Sequence, residues 1–211
     1  MSPPNDQLRH GRGEKAHYSA EIIAGALLLH ESRIIADLML HGVTDEGWRN
    51  AIVRRNVLKA RTRDTANRVS KLIRGRLETM GPDIWKMVRD GSGTIASHAA
   101  LAAAVKHSRL LGDFLALVVA EQYRQFARAL SNRLWDDYLD GCRERDADLP
   151  EWSEATCKRL RSSVFQTLAQ AGYIENTRTL SLQRVHVPNQ VLHYLKAHGE
   201  EYVLGCMQVA S

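Results

Sequence analysis

The most continuous apolar pattern in the chain lies at residues 101–126, LAAAVKHSRLLGDFLALVVAEQYRQF. At the helical step of about 100° per residue, Val105, Leu110, Leu111, Phe114, Leu115, Leu117, Val118 and Val119 point to nearly every side. Only a narrow stripe of Lys106, Arg109, Asp113, Ala116, Ala120 and Arg124 departs from this. A helix that is apolar nearly all round is a buried one. The stretch therefore predicts the central helix of a bundle, with other helices leaning on it.

The helical period recurs before and after it. Ser19 predicts an N-cap for a helix over 20–29. Residues 31–41, with Ile34, Ile35, Leu38 and Met39, predict a second helix stopped by Gly42. Thr44, followed by Asp45 and Glu46 where the helix dipole favours anions, predicts a cap for a helix reaching about Asn56. In RTRDTANRVSKLIRGRLETMGP, residues 61–82, Ala66, Val69, Ile73, Leu77 and Met80 share one arc, opposite Arg68, Lys71 and Arg74, and Gly81-Pro82 closes the element. Residues 83–90 predict a short helix, 91–93 a loop, and Thr94 or Ser97 the start of the central helix. A further, acidic helix covers 132–145, with Asp136, Asp137, Asp140 and Glu144.

The polar segment 145–150 ends in Pro150 and marks a boundary. Beyond it Ser153 predicts a cap for a helix to about Ala171, with Leu160, Val164, Phe165 and Leu168 on one face and Gly172 as its stop. Tyr173-Ile174, a polar turn at 175–179 and the alternating arm 180–187 predict a small β-hairpin. Pro188 opens a last helix through Leu195, ending near Gly199. The expected fold is mainly α: a disordered tail at 1–17, a helical bundle at 18–148, and a winged-helix-like unit with a β-hairpin at 149–211.

Composition adds little to this until charge is placed along the chain. Hydrophobic residues at 44% and charged residues at 25% are ordinary for a globular protein, and 211 residues suffice for a substantial core. The net charge of +5 is by itself weak evidence for an anionic partner. Its distribution is more telling. Arg49, Arg54, Arg55, Lys59, Arg61, Arg63, Arg68, Lys71, Arg74 and Arg76 face one acid, Asp64. Such a run repels itself unless something neutralises it, and a phosphate backbone does so while releasing counterions. Residues 56–77 read as two helices with a short connector, a helix-turn-helix pattern. Thr62 and Thr65, at the start of its second helix, can offer hydroxyl and backbone N–H groups to phosphate. A thinner second set, Lys158, Arg159, Arg161, Arg178 and Arg184, falls in the C-terminal unit. The competing reading is a solvated basic face paired with the acidic helix at 136–144. Aromatic residues are not interleaved with either set, so base stacking of the RRM or OB type is not indicated.

Candidate chemistry narrows the picture by its scarcity. The chain has no GxxxxGK[ST], GxSxG, HExxH or GxGxxG motif, and Pro82-Asp83 lacks the carboxylate-x-Lys that would suggest a nuclease. Cys142, Cys157 and Cys206 are odd in number and widely spaced, which argues against a disulfide framework or zinc site and for a reducing cytoplasm. None of the nine histidines sits at helical spacing from another ligand type on a convincing face. His107 and Asp113 suggest acid–base work less than they suggest a polar network in the bundle, with Arg109, Glu31 and Arg33 as candidate members. Trp48, Trp85, Trp135 and Trp152 read as packing residues. No cofactor is expected, and the apolar run 22–29 is far short of the ~20 residues that span a membrane.

The segments YSAEIIAGALLLHESRIIADLML, KHSRLLGDFL and EWSEATCKRLRSSVFQTLAQAGYIENTRTLSLQRVHV, with the basic segment lying between the first two, resemble the BrxA family of BREX phage-defence systems. The resemblance runs from about Tyr18 to Gly199. It implies a small, mostly helical bacterial protein that binds double-stranded DNA, has no known catalytic activity, and works with other proteins of its defence system. The expected phosphate contacts rest on the basic clusters: Arg54, Arg55, Lys59, Arg61, Arg63, Arg68, Lys71 and Arg74, supplemented by Lys158, Arg159, Arg161, Arg178 and Arg184. Two alternatives stand beside this: a protein–protein scaffold within the defence complex, and a transcriptional regulator of its own operon.

Overall fold

The structure, a computed structural model, describes residues 18–209; the tail predicted at 1–17 lies outside the described residues. Its element order follows capping chemistry closely. After a 3-10 turn, Glu21–Ala24, come α1 (Leu29–Leu40), α2 (Asp45–Arg49) with a π-helical turn (Asn50–Arg54), α3 (Arg63–Glu78), α4 (Pro82–Asp90) and α5 (Gly93–His107). The chain continues through α6 (Arg109–Asp113), a π-helical turn (Phe114–Val119) and α7 (Ala120–Arg124), which run on as one rod. Then follow α8 (Asn132–Arg145), α9 (Glu154–Gln170), α10 (Asn189–Ala197) and α11 (Glu201–Met207). Thr44, Thr62, Ser92, Ser108, Ser131 and Ser153 each accept a bond from a first-turn N–H with their side-chain oxygen.

Helices α1, α3, α4 and α5 pack on one another, and α11 and α10 close over α5. Every residue of α5 from Ala96 to Val105 is buried. Six of them are Ala96, Ala99, Ala100, Ala102, Ala103 and Ala104, whose small side chains let neighbouring helices approach from all sides. The buried side chains from Tyr18 to Val209 form one continuous cluster.

Three expectations are corrected. The predicted central helix is two helices, because Ser108 takes extended backbone angles (φ −123°, ψ 100°), ends α5 and caps α6 through Leu111 N. The predicted helix over 20–29 is a 3-10 turn and an irregular stretch, with Leu28 in the left-handed region (φ 49°) before α1 begins. The β-hairpin and winged-helix unit are not formed: the described residues contain two isolated antiparallel bridges, Ile174 with Leu182 and Ala129 with Ser181, and no strand. The reason is local. Asn176 Oδ1 accepts from the N–H groups of Arg178 and Thr179, Leu180 N donates to Asn176 O, and Leu180 turns left-handed (φ 53°), so the arm cannot leave the turn extended. Residues 180–183 then divide their bonds between Tyr173 and Glu175 on one side and Arg128 and Leu130 on the other.

Candidate nucleic-acid interface

The basic segment is an ordered surface. After Arg54 the chain turns twice through left-handed residues, Asn56 (φ 46°) and Lys59 (φ 51°). Asn56 clamps the turn with its side chain: Nδ2 donates to Ala60 O at 2.8 Å and Oδ1 accepts from Ala60 N at 3.0 Å. Asn is among the few non-Gly residues that adopt this region readily. Leu58 is buried and anchors the connector to the core. Thr62 then caps α3 by accepting from Thr65 N at 3.1 Å. Residues 56–77 thus hold one helix, with the helix before them ending at Arg54, and the 55–62 connector is longer than the three or four residues of a helix-turn-helix. The Thr62 hydroxyl donates to Thr65 Oγ1 at 2.9 Å, so these two hydroxyls bond each other.

The structure sorts the predicted cations. Arg54, Arg55, Lys59, Arg61, Arg63, Arg68 and Lys71 are exposed and make no ion pair to a described residue. Arg74 is different: its Nε donates to Glu78 Oε1 at 2.7 Å, and its guanidinium lies 4.7 Å from the centroid of the Trp48 ring. Arg76 is buried. It donates to the carbonyls of Ala26 (2.5 Å) and Gly25 (2.9 Å), closing the irregular stretch before α1, while its Nε finds no partner among the described residues. Burial pulls its pKa down to about 10, against a smaller opposing pull from Glu21. In the second set Lys158 pairs with Glu154 and Arg161 reaches across to Asp136 of α8 at 3.2 Å, whereas Arg159, Arg178 and Arg184 are exposed. Among the described residues no hydrogen bond or ion pair joins the two sets. Nor does the acidic helix neutralise the first one: Asp136, Asp137 and Asp140 pair with Arg161, Arg133 and Arg143.

The buried polar network forms around Asp113, with partners other than most of those expected. The hydroxyls of Tyr18 and Tyr202 each donate to it at 2.8 Å, and Arg109 Nε lies 3.1 Å away while its guanidinium covers the Tyr202 ring at 4.2 Å. Burial, then the opposing bond from Arg145, then the Asp113 carboxylate leave the Tyr18 hydroxyl with a pKa pushed up to about 12, so it stays a donor. A Cβ at Gly112 would lie 2.2 Å from the Tyr202 hydroxyl oxygen, so this contact requires glycine. His107 faces Glu21 at 3.5 Å instead, and Arg33 donates to the carbonyls of Arg89 and Gly91. This arrangement ties helices together and offers no nucleophile–base pair. Among the described residues no three His, Cys, Asp or Glu side chains converge as a metal site requires, and no helix is long and apolar enough to cross a membrane.

Sequence reasoning missed one feature. Trp48 and Trp85, separated by 37 positions in the chain and read as packing residues, line a groove of about 260 Å³ with Leu38, Met39, Gly42, Val43, Arg74 and Glu78.

Fold and surface together define a mainly helical protein that presents an ordered run of exposed cations with no ion pair to a described residue. The family is settled by comparison: the family model described as BrxA matches residues 16–199, and the chain belongs to that family. A BREX protein BrxA from Paramagnetospirillum magneticum is 49% identical over 193 residues, which is 92% of this chain and 97% of the relative. Another, from Escherichia coli, is 28% identical over 197 residues, covering 93% and 92% of the two chains. The crystal structure of an uncharacterized protein from Magnetospirillum magneticum matches the fold with a TM-score of 0.84 at 48% identity, over 91% of this chain and 98% of that one.

Proposed function

We propose that this protein is a non-enzymatic double-stranded DNA-binding component of a BREX-type phage-defence system, working in the cytoplasm alongside other proteins of that system and holding DNA mainly by its phosphates. One observation carries the reading. Seven exposed cations between Arg54 and Lys71 have no ion pair to a described residue, and an ordered connector and a capped helix present them. Each phosphate they neutralise releases condensed counterions, which drives binding with little dependence on sequence. Membership of a family whose relatives are named BREX proteins supports the defence context.

The test is a matched pair of triple variants bound to duplex DNA over a salt series. Replacing Arg63, Arg68 and Lys71 by Ala weakens binding to all sequences alike and flattens the slope of log K against log salt by about one unit per lost contact. Replacing Arg159, Arg178 and Arg184 by Ala measures what the second set adds. Unchanged binding by the folded first variant contradicts the site.

A second reading, docking to a protein of the same system, is favoured by Leu117 and Phe126. These are 52% and 92% exposed, and Leu117 sits in a groove with Val118, Leu134 and Tyr138. Loss of a copurifying partner on Leu117→Ser, with DNA binding intact, is its signature.

A further inference from the structure

We propose that the groove between Trp48 and Trp85 takes an unpaired nucleobase from a DNA strand whose backbone follows α3. The proposal rests on the DNA-binding reading and adds a ligand site to it. Along α3 the positions Arg63, Asn67, Lys71, Arg74 and Glu78 succeed one another by four, four, three and four residues. At the helical step they fall within an arc of roughly 80°. This stripe leads from the unneutralised cations straight into the groove, since Arg74 and Glu78 are two of its walls. Lys71 and Arg74 are about 4.5 Å apart along the axis. A cation for a phosphate and an aromatic surface for the attached base therefore lie within the reach of one nucleotide.

The walls suit a planar, polar-edged ring. Trp85 Nε1 donates to Leu77 O at 2.7 Å, which fixes the indole edge inward. The Arg74 guanidinium lies 4.7 Å from the centroid of the Trp48 ring, and indole and guanidinium groups are both ones on which bases stack. Leu38, Met39 and Val43 supply apolar lining. Glu78 Oε1 accepts from Arg74, whereas no described residue donates to Oε2, which is left to accept from an exocyclic amine as carboxylates do from cytosine. About 260 Å³ is below the range typical of drug-sized ligand pockets, and it matches a single ring system better than a helix of a protein partner. A paired, stacked base cannot enter such a site, so its ligand is a base already out of the stack.

The experiment compares a fully paired duplex with the same duplex carrying one unpaired 2-aminopurine, adenine or thymine, using the full chain. The expected result is about tenfold tighter binding of the bulged adenine duplex, with quenching of the unpaired 2-aminopurine. Trp48→Leu abolishes the preference and the quenching while affinity for the paired duplex stays the same. Glu78→Ala, at an exposed position, removes the acceptor, reduces the preference for unpaired adenine and leaves unpaired thymine unchanged. Equal binding of bulged and paired duplexes overturns this site and leaves the DNA-binding reading standing. A preference that persists in both folded variants also overturns it. Failure to bind either duplex overturns both readings.

Discussion

His98 sits almost fully buried on α5, its Nδ1 2.8 Å from Thr94 O, its Nε2 without a partner among the described residues and its ring beside Tyr173. The bond to a carbonyl makes Nδ1 the donor and leaves Nε2 a bare lone pair. Protonation there would place an unpaired charge in the core, so burial lowers the pKa, against the Thr94 bond and with a smaller contribution from His186. The folded value lies below the unfolded one of about 6.5, so stability is full above that pH and is lost as pH falls from it towards the folded value. His107 is shifted the same way, by burial first. The expected outcome is a melting temperature that drops below about pH 6.5, with His98→Leu removing part of the drop. An unchanged pH profile in that variant contradicts this account. Residue fates of this kind were only partly legible in the chain. Arg68, Arg74 and Arg76 are alike as letters in one basic run, yet one is exposed without an ion pair to a described residue, one lies on Trp48, and one is buried on two carbonyls. What separates them is the position of α2 and of the stretch before α1, which no local pattern encodes.

At the scale of elements, the connector between α2 and α3 decides whether the cations form a surface or a floppy loop. Asn56 carries it, through two bonds to Ala60 and a left-handed backbone that alanine adopts at a cost of about 1–2 kcal/mol. Asn56→Ala removes no charge. It is expected to lower unfolding stability by about 1–3 kcal/mol in urea titration and to weaken DNA binding several-fold at fixed salt. Full-strength binding in that variant would mean that the connector need not be ordered. The bounds of α8 and the cap of α9 could be read from Asn132 and Ser153, because those helices are amphipathic and their caps are local. The break at Ser108 could not, since one serine in a long apolar run looks like part of a polar stripe. The hairpin was misread for a related reason. The alternation of residues 180–187 says nothing about whether a partner strand is in reach, and Leu180 bends the arm away. The short α11 gave no periodic signal long enough to announce itself.

Across the whole molecule, charge is segregated. Glu78 is taken up by Arg74 and the α8 acids by Arg161, Arg133 and Arg143, while the strip from Arg54 to Lys71 has no such neutralisation among the described residues. Membership of a family whose relatives carry BREX names, matched over nearly their full length, supplies the setting. The strip supplies the physical reason to bind a polyanion. The most direct measurement is the affinity of the intact chain for a blunt, fully paired duplex of arbitrary sequence from low to moderate salt, with a fragment from the protein's own operator region alongside. The account predicts equal binding to both and a steep linear fall of log K with log salt, with a slope near −0.9 for each phosphate contacted. Absence of binding at low salt, or affinity that is indifferent to salt, would contradict it.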